Sequence, residues 1–212
     1  MRIFEERTYM NLKTVYFDLL SAIGFHQNDI EKHWIILEKA YSQKKRYYHN
    51  LTHLENMMLS FNKYQSEIQM KNEVCYAIFY HDIVYNAKKT DNELKSAEFA
   101  LSILPKEVTI NRTLVFDMIV ATKQHQQNEN KDTNWLIDFD LEILAKDWDN
   151  YKAYYEQIRK EYKIYPDFLY KPGRKKALQH FLESTNLFQT ETYRTLYETK
   201  ARENIRKEIA QL

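Results

Sequence analysis

The stretch "RYYHNLTHLENMM", residues 46–58, decides how the chain is read. Leu51, Leu54, Met57 and Met58 recur at three- and four-residue spacing, and Phe61 extends the stripe. Asn50 stands just ahead of them, a residue suited to cap a helix N-terminus, so the spacing predicts a helix beginning there. The same periodicity runs outward in both directions. Upstream, Tyr16, Leu19, Leu20 and Ile23 share a face that Gly24 closes, and Ile30, Trp34, Leu37 and Tyr41 share another. Downstream, helices are predicted over 72–85, from a capping box "TDNE" at 90–93 that leads Leu94, Ala97, Leu101 and Leu104, and over 111–124. The polar run "QQNENKDTN", 126–134, reads as a surface loop, after which "WLIDFDLEILA" returns to apolar periodicity. Three more helices follow over 150–162, from 173 to 184, and from 192 to the end, with "YPDFLYKPG" breaking two of them. The expected fold is an all-α compact helical bundle in a single domain, 1–212, with additional C-terminal helices from about residue 150.

Composition excludes several classes of function. The chain has 31 basic and 30 acidic residues, a net charge of +1, so no basic footprint recommends nucleic acid. Two glycines, Gly24 and Gly173, are too few for a phosphate-cradling loop or a dinucleotide fingerprint. Seventeen tyrosines imply a core and clefts lined by rings with polar tips. The one cysteine, Cys75, forms no internal disulfide and sits inside the apolar "EVCYAIFY", where it reads as a small buried hydrophobe rather than a nucleophile. No apolar run approaches membrane-span length, and the opening "MRIFEERTYM" is charged where a signal peptide would be apolar. A cytoplasmic location and no membrane partner are expected. The sequons at Asn50 and Asn111 are then chance matches.

Against the apolar pattern, a few polar residues stand where apolar ones belong. In the predicted helix over 72–85, Ile78, His81, Asp82 and Tyr85 share one face, so the His81 and Asp82 side chains can reach one point. His53 sits in the first turn of the helix that Asn50 opens, and Asp138 and Asp140 interrupt "LIDFDLEILA". Burying isolated imidazoles and carboxylates is costly unless they are paired or bind a metal. Nitrogen and oxygen donors without thiolate suit Mn, Mg, Fe, Co, Ni or Zn. A buried His–Asp hydrogen-bonded pair explains the same residues.

The ordered set of His53, "HD" at His81 and Asp82, and then Asp140 resembles the pattern that names the HD superfamily of metal-dependent phosphohydrolases. "YHNLTH" resembles the segment that supplies a metal ligand and the proton donor in HD-type cyclic-nucleotide phosphodiesterases. "ATKQH", "DFDLEIL" and "ARENI" extend the likeness over most of the length, to a bacterial group of similar size described as predicted metal-dependent HD phosphohydrolases. The resemblance implies an HD-domain-like bundle in which His53, His81, Asp82 and Asp140 bind a divalent metal ion. "FDL" at 139–141 fits the last ligand better than "IDF" at 137–139, and Asp138 is the alternate. It implies catalytic roles for His49, which would protonate the leaving oxygen, and for Asp82, which would steer the attacking water. The competing role for His49 is to buttress the helix start.

Three residues are candidates for substrate binding: Arg46 and Lys123 on a phosphate, and His125 on the substrate or a second metal. Solvated surface charge, or a histidine favoured at a helix C-terminus, explains them as well. Glu93 is accounted for by its capping box, and spacing gives Arg174 and Arg202 no role. The expected reaction is hydrolysis of a phosphate mono- or diester, of a nucleotide or another small phosphorylated metabolite. An HD-type di-iron oxygenase and a non-catalytic nucleotide-binding or regulatory module are the alternatives. Aromatic faces in "KAYYEQIRKEYKIY" and in the last helix could form a homodimer interface.

Overall fold

A computed structural model describes residues 11–212; the charged opening segment, residues 1–10, lies outside the described residues. Ten α-helices follow in chain order: α1 (Leu12–Ala22), α2 (Gln27–Tyr41), α3 (Leu51–Tyr64), α4 (Lys71–Tyr80), α5 (Asn92–Ser102), α6 (Arg112–Ala121), α7 (Lys131–Leu141), α8 (Trp148–Glu161), α9 (Asp167–Glu183) and α10 (Glu191–Ile209). A 3-10 turn, Glu142–Ala145, links α7 to α8, and no strand occurs among the described residues. The all-α expectation holds.

Local chemistry fixes the helix starts. Asn11, Asn50, Asn111, Asn130, Asp147 and Thr190 each accept a hydrogen bond from a backbone N–H in the first turn of the helix they precede. Gly24 ends the α1 segment with φ of +102°, where a Cβ would meet the Glu107 carbonyl oxygen at 3.3 Å. The central element is α4. Val74 to Tyr80 are all buried, and α1, α3, α6 and α7 pack around them. The tyrosines in this core keep their hydroxyls paired: Tyr16 with Tyr80, Tyr41 to the Phe79 carbonyl and Tyr76 to the Ala100 carbonyl. The C-terminal helices and the loop between α9 and α10 add Tyr151, Leu178, Phe188, Tyr193 and Ile205 to the same continuous core.

Four local expectations are corrected. First, α4 stops at Tyr80 rather than Tyr85, because side chains from elsewhere take the backbone groups a longer helix would use. The Asp82 N–H donates to the Tyr41 hydroxyl and the Val84 N–H to Ser96 Oγ, while Arg46 holds the departing chain through the carbonyls of Asp82 and Ile83. Second, α5 begins at Asn92 with no side-chain cap, so the capping box does not form; Asn92 instead pairs with both backbone groups of Asn86 and closes the preceding loop. Third, the polar run 126–134 is not all surface loop. Its second half opens α7, and buried Asp132 accepts from the N–H groups of Gln69 and Met70 at the entry to α4. Fourth, "YPDFLYKPG" breaks one boundary, not two: Pro166 precedes α9 and Pro172 lies inside it.

Candidate metal centre

Five segments meet at one end of α4. The loop before α3 brings His49, the first turn of α3 brings His53, and the chain leaving α4 brings His81 and Asp82. The last turn of α7 brings Asp140, and the end of α8 brings Glu161. His53 Nε2 and His81 Nε2 lie 3.2 Å apart. Asp140 Oδ1 is 3.2 Å from His53 Nε2 and 3.8 Å from His81 Nε2, and Asp82 Oδ2 is 3.3 Å from His81 Nε2. Donor atoms of His53, His81 and Asp82 all fall within 4.8 Å of one another, a grouping that could hold a metal ion.

The chemistry of this donor set fits a divalent cation. His81 Nδ1 lies 2.9 Å from the Ile78 carbonyl oxygen, so Nδ1 carries the proton that donates there. The neutral ring then presents a lone pair at Nε2, toward the cluster, as a metal-ligating histidine does. Burial favours the neutral carboxyl at Asp82, but the neighbouring His81 and His49 outweigh it and hold the group well below the usual carboxylate range. Asp140 is likewise held well below it, against its burial, by His125 and His53. Two ionised carboxylates and two imidazoles gathered away from water need a compensating positive charge. Without a cation a proton fills that role: burial lowers the His81 pKa, yet Asp82 and Asp140 raise it to about 9. His53, equally buried but farther from Asp82, is lowered.

Asp138, the alternate last ligand, does not reach the cluster. It is fully buried and accepts from the N–H groups of Gln189 (2.6 Å) and Thr190 (2.8 Å), at the start of α10. Burial nevertheless pushes its carboxyl up to about 6. Two residues on, Asp140 lies about 200° around the helix and so faces the opposite way.

His49 flanks the cluster. Its Nδ1 lies 2.6 Å from Glu161 Oε2, and its Nε2 lies 3.9 Å from Asp82 Oδ2. Burial alone would lower the His49 pKa, but Asp82, Glu161 and Asp140 outweigh it and raise it. Glu161 also accepts from the N–H groups of Tyr48 and His49 and from the Tyr85 hydroxyl, so it holds loop and ring together. Sequence reasoning missed Glu161. Its signal was available: Tyr151, Tyr154, Ile158 and Glu161 follow helical spacing, with a carboxylate in the last apolar position.

The three substrate-binding candidates separate. His125 has a positive φ of 52° and its Nε2 is 3.1 Å from Asp140 Oδ2, so it joins the cluster's edge. Arg46 is buried, and its guanidinium donates to the carbonyls of His49, Asp82 and Ile83 beneath the site rather than facing the donor atoms. Lys123 donates to the Thr90 carbonyl. A cavity of about 530 Å³ opens from His49, His125 and Asp140 toward α8 and α9, where Tyr154, Tyr162 and Phe181 line it. Arg174 stands on its far wall, paired with Glu208 through Nε at 2.8 Å and Nη2 at 3.1 Å. Cys75 is buried in the core with its thiol pushed up to about 12 by burial, which suits no nucleophile. Among the described residues no helix is long and apolar enough to cross a membrane.

Comparison of the chain with protein-family models, with curated proteins and with solved structures finds no match.

Proposed function

We propose that this protein is a metal-dependent phosphohydrolase of the HD type, hydrolysing a phosphate mono- or diester of a nucleotide or another small phosphorylated metabolite. One observation carries the reading: His53, His81, Asp82 and Asp140 converge with the His81 lone pair aimed inward, beside a histidine held by a separate carboxylate. These four residues would hold the ion. A bound divalent cation supplies an activated water and offsets charge developing on phosphoryl oxygens.

The chain's own residues supply the rest. His49 keeps a proton at Nδ1 against Glu161 and directs Nε2 to the Asp82 side of the cleft, where a protonated Nε2 donates to the departing oxygen. A cation would offset Asp82 and Asp140, but Glu161 lies on the other side of the ring and keeps its effect on His49. Asp82 has an oxygen facing both His81 and His49, and so orients the attacking water between ligand set and acid. The ring-lined cavity takes the organic part of the ester and excludes water from it.

His125 favours a second reading. With Asp140 Oδ1 toward His53 and Oδ2 toward His125, Asp140 and His125 would be placed to help hold a second ion. Two irons held there would supply oxidation of the substrate with dioxygen as the oxidant.

Elemental analysis of purified wild type and Asp82→Ala, followed by assay against phosphate esters with added Mn, tests the proposal. About one equivalent or more of metal, lost in the variant, is expected. Turnover should be abolished by chelator and restored by metal. Equal metal content in both proteins, with no Mn-dependent difference between them, would overturn it. Two equivalents of iron in a coloured protein would favour the oxidative reading.

A further inference from the structure

A second cavity, of about 440 Å³, lies behind the His49–Glu161 pair. Lys45, Lys88, Lys160 and Lys163 line it, and Arg46, Tyr85 and Glu161 belong to its wall. Ala87 lines this cavity and the ring-lined cleft alike, so the two lie on either side of it. The lysines come from three parts of the chain: the loop after α2, the loop after α4, and the end of α8 with the turn beyond it. None of the four forms an ion pair among the described residues. Complementing the α8 C-terminus accounts for Lys160 but not for Lys45 or Lys88.

A second observation points the same way. Arg46 is more than nine-tenths buried in this wall, and its bonded partners are carbonyl oxygens. Its Nε is buried with no hydrogen-bond partner. Its charge is therefore solvated by dipoles rather than cancelled by a carboxylate. The one acid of the cavity wall, Glu161, is already engaged by the His49 ring, the Tyr85 hydroxyl and two backbone N–H groups. Five cations around a concave space with one committed carboxylate concentrate positive potential there.

We infer that this lysine-lined cavity is a binding site for a multiply charged phosphate group on a small molecule. Flexible ammonium groups at the rim suit a phosphate as point charges, while the immobilised guanidinium below keeps the field in place. Because the cavity and the cleft are neighbours at Ala87, the phosphate is either the distal group of a molecule lying in the cleft or a separate small oligophosphate. The site itself does not depend on the metal reading.

The test is calorimetric titration with inorganic tripolyphosphate, in chelator so that no metal mediates binding. The proteins are wild type, the surface variant Lys88→Glu/Lys163→Glu, and Asp82→Ala, each checked for folding by circular dichroism. Wild type and Asp82→Ala should bind one equivalent, and the double lysine variant at least about 10-fold more weakly, with affinity falling as salt rises. The absence of saturable binding to wild type, or equal affinity in a folded double variant, would overturn the site. Loss of metal from Asp82→Ala bears on the cluster alone, so the two proposals fail separately. Competition with p-nitrophenyl phosphate in the metal-loaded protein identifies the source. Mutual exclusion upholds the site as the seat of a distal phosphate, and simultaneous binding upholds it as a separate one.

Discussion

The His49 imidazole is faced by carboxylates on two sides, Glu161 at Nδ1 and Asp82 beyond Nε2. Acting as the acid, it must be protonated, so the proposed hydrolysis falls off as pH rises through its pKa. Glu161 helps raise that pKa, and Glu161→Gln lowers it. The alkaline limb of the rate profile should therefore move to lower pH by about 1 unit, with metal content unchanged. His49→Ala should lose about 100-fold or more in turnover, again with metal retained. An unmoved profile in Glu161→Gln would leave Glu161 as a brace for the Tyr48–His49 backbone and nothing more. At this scale the sequence showed polar residues at buried positions, and His53, His81 and Asp82 could be picked out by that test alone. It did not show which groups held each other. Glu161 is 112 residues from His49, a partnership no local pattern encodes.

Elements decide which of two neighbouring aspartates faces the site. Along α7, Asp138 and Asp140 occupy opposite sides, and each carboxylate is claimed by a different structure. Asp138 satisfies the N–H groups of Gln189 and Thr190, which would otherwise be unpaired where α10 begins. Asp138→Ala should therefore destabilise the fold by about 1–3 kcal/mol, read as a lower unfolding temperature, while metal content stays at the wild-type level. Asp140→Ala should lose the metal, and because His125 and His53 hold the Asp140 carboxyl well below its ordinary range, its charge favours the folded state and the metal-free variant should also be less stable than metal-free wild type. Metal loss in Asp138→Ala, with retention in Asp140→Ala, would exchange the two roles. The apolar stripes made the helices themselves legible, and Asn50 and Gly24 mark their boundaries as expected. The boundaries that misled, at the end of α4 and the start of α5, are those fixed by Arg46, Tyr41 and Asn92 across the fold. A helix extended to Tyr85 by periodicity would have needed the Asp82 and Val84 N–H groups that Tyr41 and Ser96 take.

The whole molecule sets the depth of the cleft through its C-terminal third. Helices α8 and α9 form the far wall of the ring-lined cavity, and α10 holds them against the 3-10 turn that follows Asp140. Asn204 donates to the carbonyls of Leu144 and Lys146, fixing that turn to α10. Glu208 is buried and receives Arg174 from α9 through two nitrogens and the Tyr151 hydroxyl from α8. One carboxylate near the chain's end thus joins three helices. Removing it leaves a largely buried guanidinium stranded beside rings, which is costlier than never having had the pair. Glu208→Ala should destabilise the protein by about 3–5 kcal/mol, and Arg174→Met in the same chain should recover part of that loss by removing the stranded charge. Chemical denaturation of the single and double variants measures both. Because the proposed ligands sit on α3, the end of α4 and α7, the double variant should bind metal as wild type does while its cavity loses the cation on the far wall. A single variant as stable as wild type would mean that α10 is held by its apolar face alone. A double variant no more stable than Glu208→Ala would mean that the stranded guanidinium finds water, and that the wall is open where Arg174 stands.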